Sequence, residues 1–108
     1  MAAVVPSEVD VSTAARLVKE GAVIVDVREP AELAICAVAG SLHIPMRQIP
    51  ARIGELPADR VLLVLCHVGA RSRSVTQYLR AQGRSDVANI AGGIEAWADR
   101  IDPTLARY

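Results

Sequence analysis

The chain has 108 residues, 52% of them hydrophobic, and its twelve basic and twelve acidic residues leave a formal net charge of zero. That length suits one domain, residues 1–108, with its own core, and the apolar fraction excludes a disordered chain. Without a basic excess nothing drives binding to nucleic acid or an anionic membrane, and the apolar runs are far too short to span a bilayer.

Residues 1–6 lack the basic and apolar regions of a signal peptide, so a cytoplasmic location is expected. Glu8-Val9-Asp10-Val11 reads as a short opening strand. Ser12 is placed to cap a helix carrying Ala14, Leu17 and Val18 on one face, and Gly21 ends it. Ala22 to Val27 is a nearly continuous apolar run containing Asp26, the pattern of a strand buried on both faces. After Arg28-Glu29, Pro30 at the first helical position and Glu32 in the first turn start a short helix to about Ile35. Val38 to Pro45 reads as a short strand and turn. Pro50 is expected to open a small helix holding Ile53 and Leu56, which Pro57 stops.

Val61-Leu62-Leu63-Val64-Leu65 is a second buried strand, and it delivers Cys66 to the start of a loop. A helix from about Arg71 to Gln82 buries Val75, Tyr78 and Leu79, and Gly83 stops it. Asp86 to Ile90 is a last strand and Gly92-Gly93 a tight turn. Ile94, Trp97, Ala98 and Ile101 then recur at helical spacing. Strands alternating with helices predict an α/β fold with a mainly parallel sheet. In such sheets sites lie at the carboxyl ends of strands, where Asp26 and Cys66 both fall.

The stretch Cys66-His67-Val68-Gly69-Ala70-Arg71-Ser72 carries the chemistry. A loop this short, wrapped in an arc, turns several backbone N–H groups towards its centre and makes an anion-binding nest. The following helix adds its positive end, and Arg71 and Arg73 add full charges. Gly69 lets the backbone take a positive φ or approach a ligand. All of this favours thiolate over thiol at Cys66. A ring this tight suits a single persulfide sulfur, whereas a phosphoryl group with three oxygens needs a wider one. Two cysteines without a CxxC, and only two histidines, do not form a zinc pattern, and no cofactor is expected.

Four stretches in order resemble the single-domain rhodanese family of sulfurtransferases. They are Asp26-Val27-Arg28-Glu29-Pro30 with Glu32, Ala39-Gly40-Ser41 leading to His43-Ile44-Pro45, the Cys66 to Ser72 loop, and Asn89-Ile90-Ala91-Gly92-Gly93-Ile94-Glu95-Ala96-Trp97. The resemblance implies a five-stranded, mainly parallel sheet flanked by helices on both faces. It implies that Cys66 takes the outer sulfur of thiosulfate, or of another sulfane-sulfur donor, and passes it from a persulfide to cyanide, a thiol or a sulfur-carrier protein. It assigns the backbone of His67, Val68, Gly69, Ala70, Arg71 and Ser72 to holding the persulfide, and Asp26 and Arg28 to supporting the loop. His67 departs from the pattern, standing where arginine or lysine is frequent.

Blander readings stand beside these. Arg71 is also placed to pair with Asp26. His43 reads as a packing or hydrogen-bonding residue, Cys36 as helix-end packing, Trp97 as core, and Arg73 as either a solvated helix residue or a steering charge. Two other functions are kept. One is a phosphatase or arsenate reductase on the same fold, against which the four residues between Cys66 and Arg71 argue, since those relatives usually have one more. The other is a non-catalytic docking module, in which the cysteine is often lost.

Overall fold

The computed structural model describes residues 4–108; the first three residues, part of the stretch read for a leader, lie outside them. Five strands form one sheet: β1 (Glu8–Val9), β2 (Val23–Asp26), β3 (Leu42–His43), β4 (Leu62–Leu65) and β5 (Val87–Ile90). Their order across the sheet is β1-β5-β4-β2-β3 and every pairing is parallel. The helices are α1 (Val11–Lys19), α2 (Pro30–Ile35), α3 (Ala70–Ala81) and α4 (Gly93–Arg100). The α/β, five-stranded parallel arrangement expected from the sequence is the one observed.

The apolar runs make central strands because both faces of the sheet are covered. Leu63 and Leu65 of β4 face one core, shared with Val11 and Ala14 of α1 and with Ile94 and Trp97 of α4. Leu62 and Val64 face the other, with Val75 and Leu79 of α3 and with Ile44, Ile49 and Leu56. Alternate residues of one strand therefore enter opposite cores, so no position along it is free to be polar.

Four expectations need correction. The opening strand stops at Val9, and Val11 already belongs to α1. The helix is capped by Asp10, not Ser12, because the Asp10 carboxylate accepts a 2.8 Å bond from the Thr13 N–H. No helix opens at Pro50; short 3-10 turns at Met46–Gln48 and Ile53–Glu55 bracket it. Tyr78 is exposed on α3, whereas Val75 and Leu79 are buried.

The order of the strands creates a crevice. From β2 the chain moves outward to β3, while from β4 it moves the other way to β5. The carboxyl ends of β2 and β4 thus meet where connections diverge, the usual place for a site in a parallel sheet. Asp26 is in register with Leu65, and the Val27 N–H donates to the Leu65 carbonyl at 2.9 Å, so the two loops leave the sheet side by side.

Candidate active site

Cys66 follows β4 directly and is 1% exposed. The chain then turns through Gly69, whose φ of 113° places it in the left-handed region and at the N-cap of α3. This brings the Gly69 N–H to 3.1 Å from the Cys66 Sγ and the Ser72 Oγ to 3.2 Å from it. Burial pushes the thiol up. The Ser72 hydroxyl, when its proton is turned to the sulfur, and the N–H groups of Ser72, Gly69 and Arg71 outweigh that, and hold it below the ordinary thiol value.

The outer side of the loop is fixed by α4. The N–H groups of Ile94 and Glu95 donate to the carbonyls of Cys66 and His67 at 2.9 and 3.1 Å. These are two of the N–H groups that a helix start leaves unpaired, and here the loop's carbonyls satisfy them. With its carbonyls turned outward to α4, the loop is free to turn N–H groups inward. The approach requires glycine: a Cβ at Gly93 would lie 2.4 Å from the His67 carbonyl oxygen and 2.5 Å from that of Cys66, and its φ is +60°. Gly92-Gly93 is therefore the turn the sequence suggests, with Gly93 also serving as the contact between α4 and the loop.

Two ion pairs lie where the loops after β2 and β4 leave the sheet. Asp26 and Arg28 form a fully buried pair, with Arg28 Nη2 and Nε donating to Asp26 at 2.7 and 3.0 Å. Arg28 Nη2 also donates to the Cys36 carbonyl at 2.9 Å, and the Arg28 carbonyl is 2.7 Å from His43 Nε2. Burial alone would lower the Arg28 pKa, but its bonds to Asp26 and Tyr108 raise it, so the guanidinium stays charged. Arg71 does not pair with Asp26. Its guanidinium instead makes a bidentate pair with Glu32 at 2.7 and 2.8 Å. Arg28 already fills Asp26, and α2 carries Glu32 to the loop mouth. The same carboxylate accepts the Glu29 N–H at 2.9 Å, which ties it to the start of α2. Held mainly by Arg71, the Glu32 carboxyl is lowered to about 2.

The C-terminal tail completes the rim. The Tyr108 hydroxyl accepts from Arg28 Nη1 at 3.0 Å and donates to Glu32 Oε1 at 2.9 Å. Its ring stacks on His67 with centroids 4.0 Å apart. His67 is half-buried by that stacking, and Val68 is 54% exposed at the loop tip. Arg73 is exposed and pairs with Glu8 at the surface, at 3.2 Å. Cys36 caps the end of α2 and is buried, and Trp97 lies in the core. Thus Gly69 and Ser72 meet Cys66 at the sulfur and Arg71 lies at the loop's rim, Asp26 and Arg28 are buried at the end of the neighbouring strand, and Val68 and Ala70 face solvent.

The sequence reading missed three contacts. Glu32 stands in the sequence as a first-turn acid and a member of the first family-like stretch, and its pairing with the Glu29 N–H is legible in the three-residue spacing, but its pairing with Arg71 is not. Tyr108 carries no local signal. Asn89, inside the last strand, accepts the Ser72 hydroxyl and donates to Glu8.

Comparison with known proteins gives a consistent outcome. The model of the rhodanese-like domain family matches residues 10–100. A sulfurtransferase from Allochromatium vinosum is 42% identical over 87 residues, covering 81% of each chain. Thiosulfate sulfurtransferase GlpE from Pseudomonas fluorescens is 39% identical over 79 residues, covering 73% of this chain and 72% of that one. Among solved structures, a rhodanese-related protein from Thermoplasma volcanium superposes with a TM-score of 0.82 at 26% identity. That match covers 89% of this chain and 94% of the other.

Proposed function

We propose how this chain, which belongs to the rhodanese-like family and is a sulfurtransferase enzyme, moves its sulfur: as a persulfide on Cys66. The observation that supports the reading is the Gly69 N–H donating to one buried sulfur at 3.1 Å, with the Ser72 hydroxyl beside that sulfur at 3.2 Å.

The Cys66 thiolate attacks the outer sulfur of thiosulfate. A new S–S bond forms, the donor's S–S bond breaks, and sulfite leaves with that electron pair. Cys66 then bears a terminal sulfur with one negative charge. The N–H groups of Gly69, Arg71 and Ser72 stabilise this anion in place, because the loop is fixed before the reaction and need not reorganise. An acceptor thiolate next attacks the terminal sulfur, forming its own persulfide and releasing the Cys66 thiolate; cyanide reacts in the same way to give thiocyanate. His67, Val68 and Ala70 contribute loop backbone. Asp26 and Arg28 position the loop and do not react. No cofactor or metal enters this scheme. An acceptor small thiol or carrier protein approaches over the exposed Val68. The unpaired thiols Cys36 and Cys66 suit a reducing compartment, the cytoplasm.

A single-turnover assay tests the scheme. Mixed with excess thiosulfate and no acceptor, the protein should release about one equivalent of sulfite per chain and then stop. Adding cyanide should start steady turnover. Sulfite release that continues without acceptor, or hydrolysis of an aryl phosphate in its place, would refute it.

A further inference from the structure

We propose that Asn89 is a positioning residue for this sulfur transfer, because it holds the Ser72 hydroxyl proton away from Cys66 in the resting enzyme. The inference rests on the reading of Cys66 as the nucleophile and concerns how its charge state is set.

The argument is one of hydrogen-bond direction. The Asn89 side chain is 1% exposed, and its amide orientation is fixed by its partners. Its Nδ2 donates to Glu8 Oε1 at 2.8 Å and to the Gly69 carbonyl at 3.4 Å, and both of those oxygens only accept. The Asn89 Oδ1 is therefore the atom facing Ser72. An amide oxygen cannot donate, so the bond between them uses the Ser72 proton. A hydroxyl has one proton, and with it committed to Asn89, Ser72 can only present a lone pair to Cys66 at 3.2 Å. That lone pair accepts a thiol S–H. In that orientation it offers nothing to a thiolate or persulfide.

For Ser72 to stabilise the sulfur anion, its hydroxyl must turn from Asn89 to Cys66. Loading the enzyme then leaves the buried Asn89 oxygen unpaired, and unloading restores its bond. Asn89 thus biases Cys66 towards the thiol in the resting state, against the backbone N–H groups of Gly69, Arg71 and Ser72. The other charged groups near the sulfur are compensated. Arg71 pairs with Glu32, Arg28 with Asp26, and Glu8 with Arg73, while His67 is stacked on Tyr108. The Ser72 proton is the donor among them that can be redirected by rotating a single bond.

The test is the pH dependence of Cys66 alkylation by iodoacetamide in the full chain. Peptide mass would resolve it from Cys36, with Asn89→Ala, Ser72→Ala and the double variant measured alongside. Freeing the Ser72 proton should lower the apparent Cys66 pKa by about half to one unit in Asn89→Ala, where one unit is a tenfold change in thiolate. Asn89→Ala should change nothing further once Ser72 is alanine. An unchanged or raised pKa in Asn89→Ala, or an equal shift in both backgrounds, overturns the inference. Because Asn89 is buried in β5, a second measurement avoids the variant. At acid pH the infrared S–H band of Cys66 should lie at a hydrogen-bonded frequency in the wild type and at the free-thiol frequency in Ser72→Ala. A free-thiol band in the wild type overturns it as well. A wild type that shows the predicted bands and shifts but forms no persulfide overturns the sulfur-carrier reading instead.

Discussion

At Cys66 two influences oppose each other: burial favours the neutral thiol, and the surrounding hydrogen-bond donors favour the anion. The donors prevail, so the Cys66 thiolate should persist to lower pH than an ordinary cysteine thiolate, and alkylation should level off at lower pH than for a free thiol. A rate that keeps rising in step with a free thiol would count against this. At the end of the neighbouring strand, Asp26 and Arg28 are both fully buried. Removing one partner strands the other charge out of water, a loss of about 3–5 kcal/mol. Asp26→Ala should therefore lower the denaturation midpoint sharply, and by far more than an exposed substitution such as Arg107→Ala. At this scale the sequence is half legible. Asp26 and Arg28 are two residues apart, and their association is readable. Arg71 and Glu32 are 39 residues apart, and no local pattern says which carboxylate reaches Arg71 first.

The elements hold the loop from two directions, β4 from below and the start of α4 from outside. Gly93→Ala tests the second. The added Cβ meets backbone at 2.4 Å and the position has a positive φ, so neither side can yield cheaply. Stability should fall by more than about 1 kcal/mol, and transfer activity should drop with it because the carbonyls of Cys66 and His67 lose their anchor. Equal activity at full stability would show that α4 does not shape the loop. Buried strands and most helices are legible because hydrophobic periodicity is local. Element ends are less so. At the first helix Asp10 and Ser12 are both good caps, and the choice between them depends on the β1–β5 pairing. At Pro50, proline suits a helix start, but the chain is pulled into 3-10 turns that bury Ile49 and Leu56.

Across the whole molecule, strand order places the site and the tail closes it. Residues from the β2–α2 turn, α2, the start of α3 and the C-terminal tail meet beside the carboxyl ends of β2 and β4 through Arg28, Glu32, Arg71 and Tyr108. The Glu32 carboxyl is lowered from 4.5 to about 2, so its contribution to stability is fully present above about pH 4.5. It is lost as pH falls through about 2, as the carboxylate is protonated. Unfolding midpoints measured down that range should decline less steeply in Glu32→Gln than in the wild type; parallel curves would contradict the pairing. The parallel sheet and the Cys66 loop are legible from strand–helix alternation and from the spacing of Cys66 and Arg71. The folding of Tyr108 over His67 is not, since a tail's docking depends on a surface that exists only once the sheet has formed. The central claim remains that Cys66 carries sulfur. Its most direct test is the intact mass of the protein after incubation with thiosulfate and removal of excess reagent. The wild type should gain one sulfur atom, released by cyanide or dithiothreitol, and Cys66→Ala should gain none. An unmodified wild type, or a sulfur mapped to Cys36, would contradict the account.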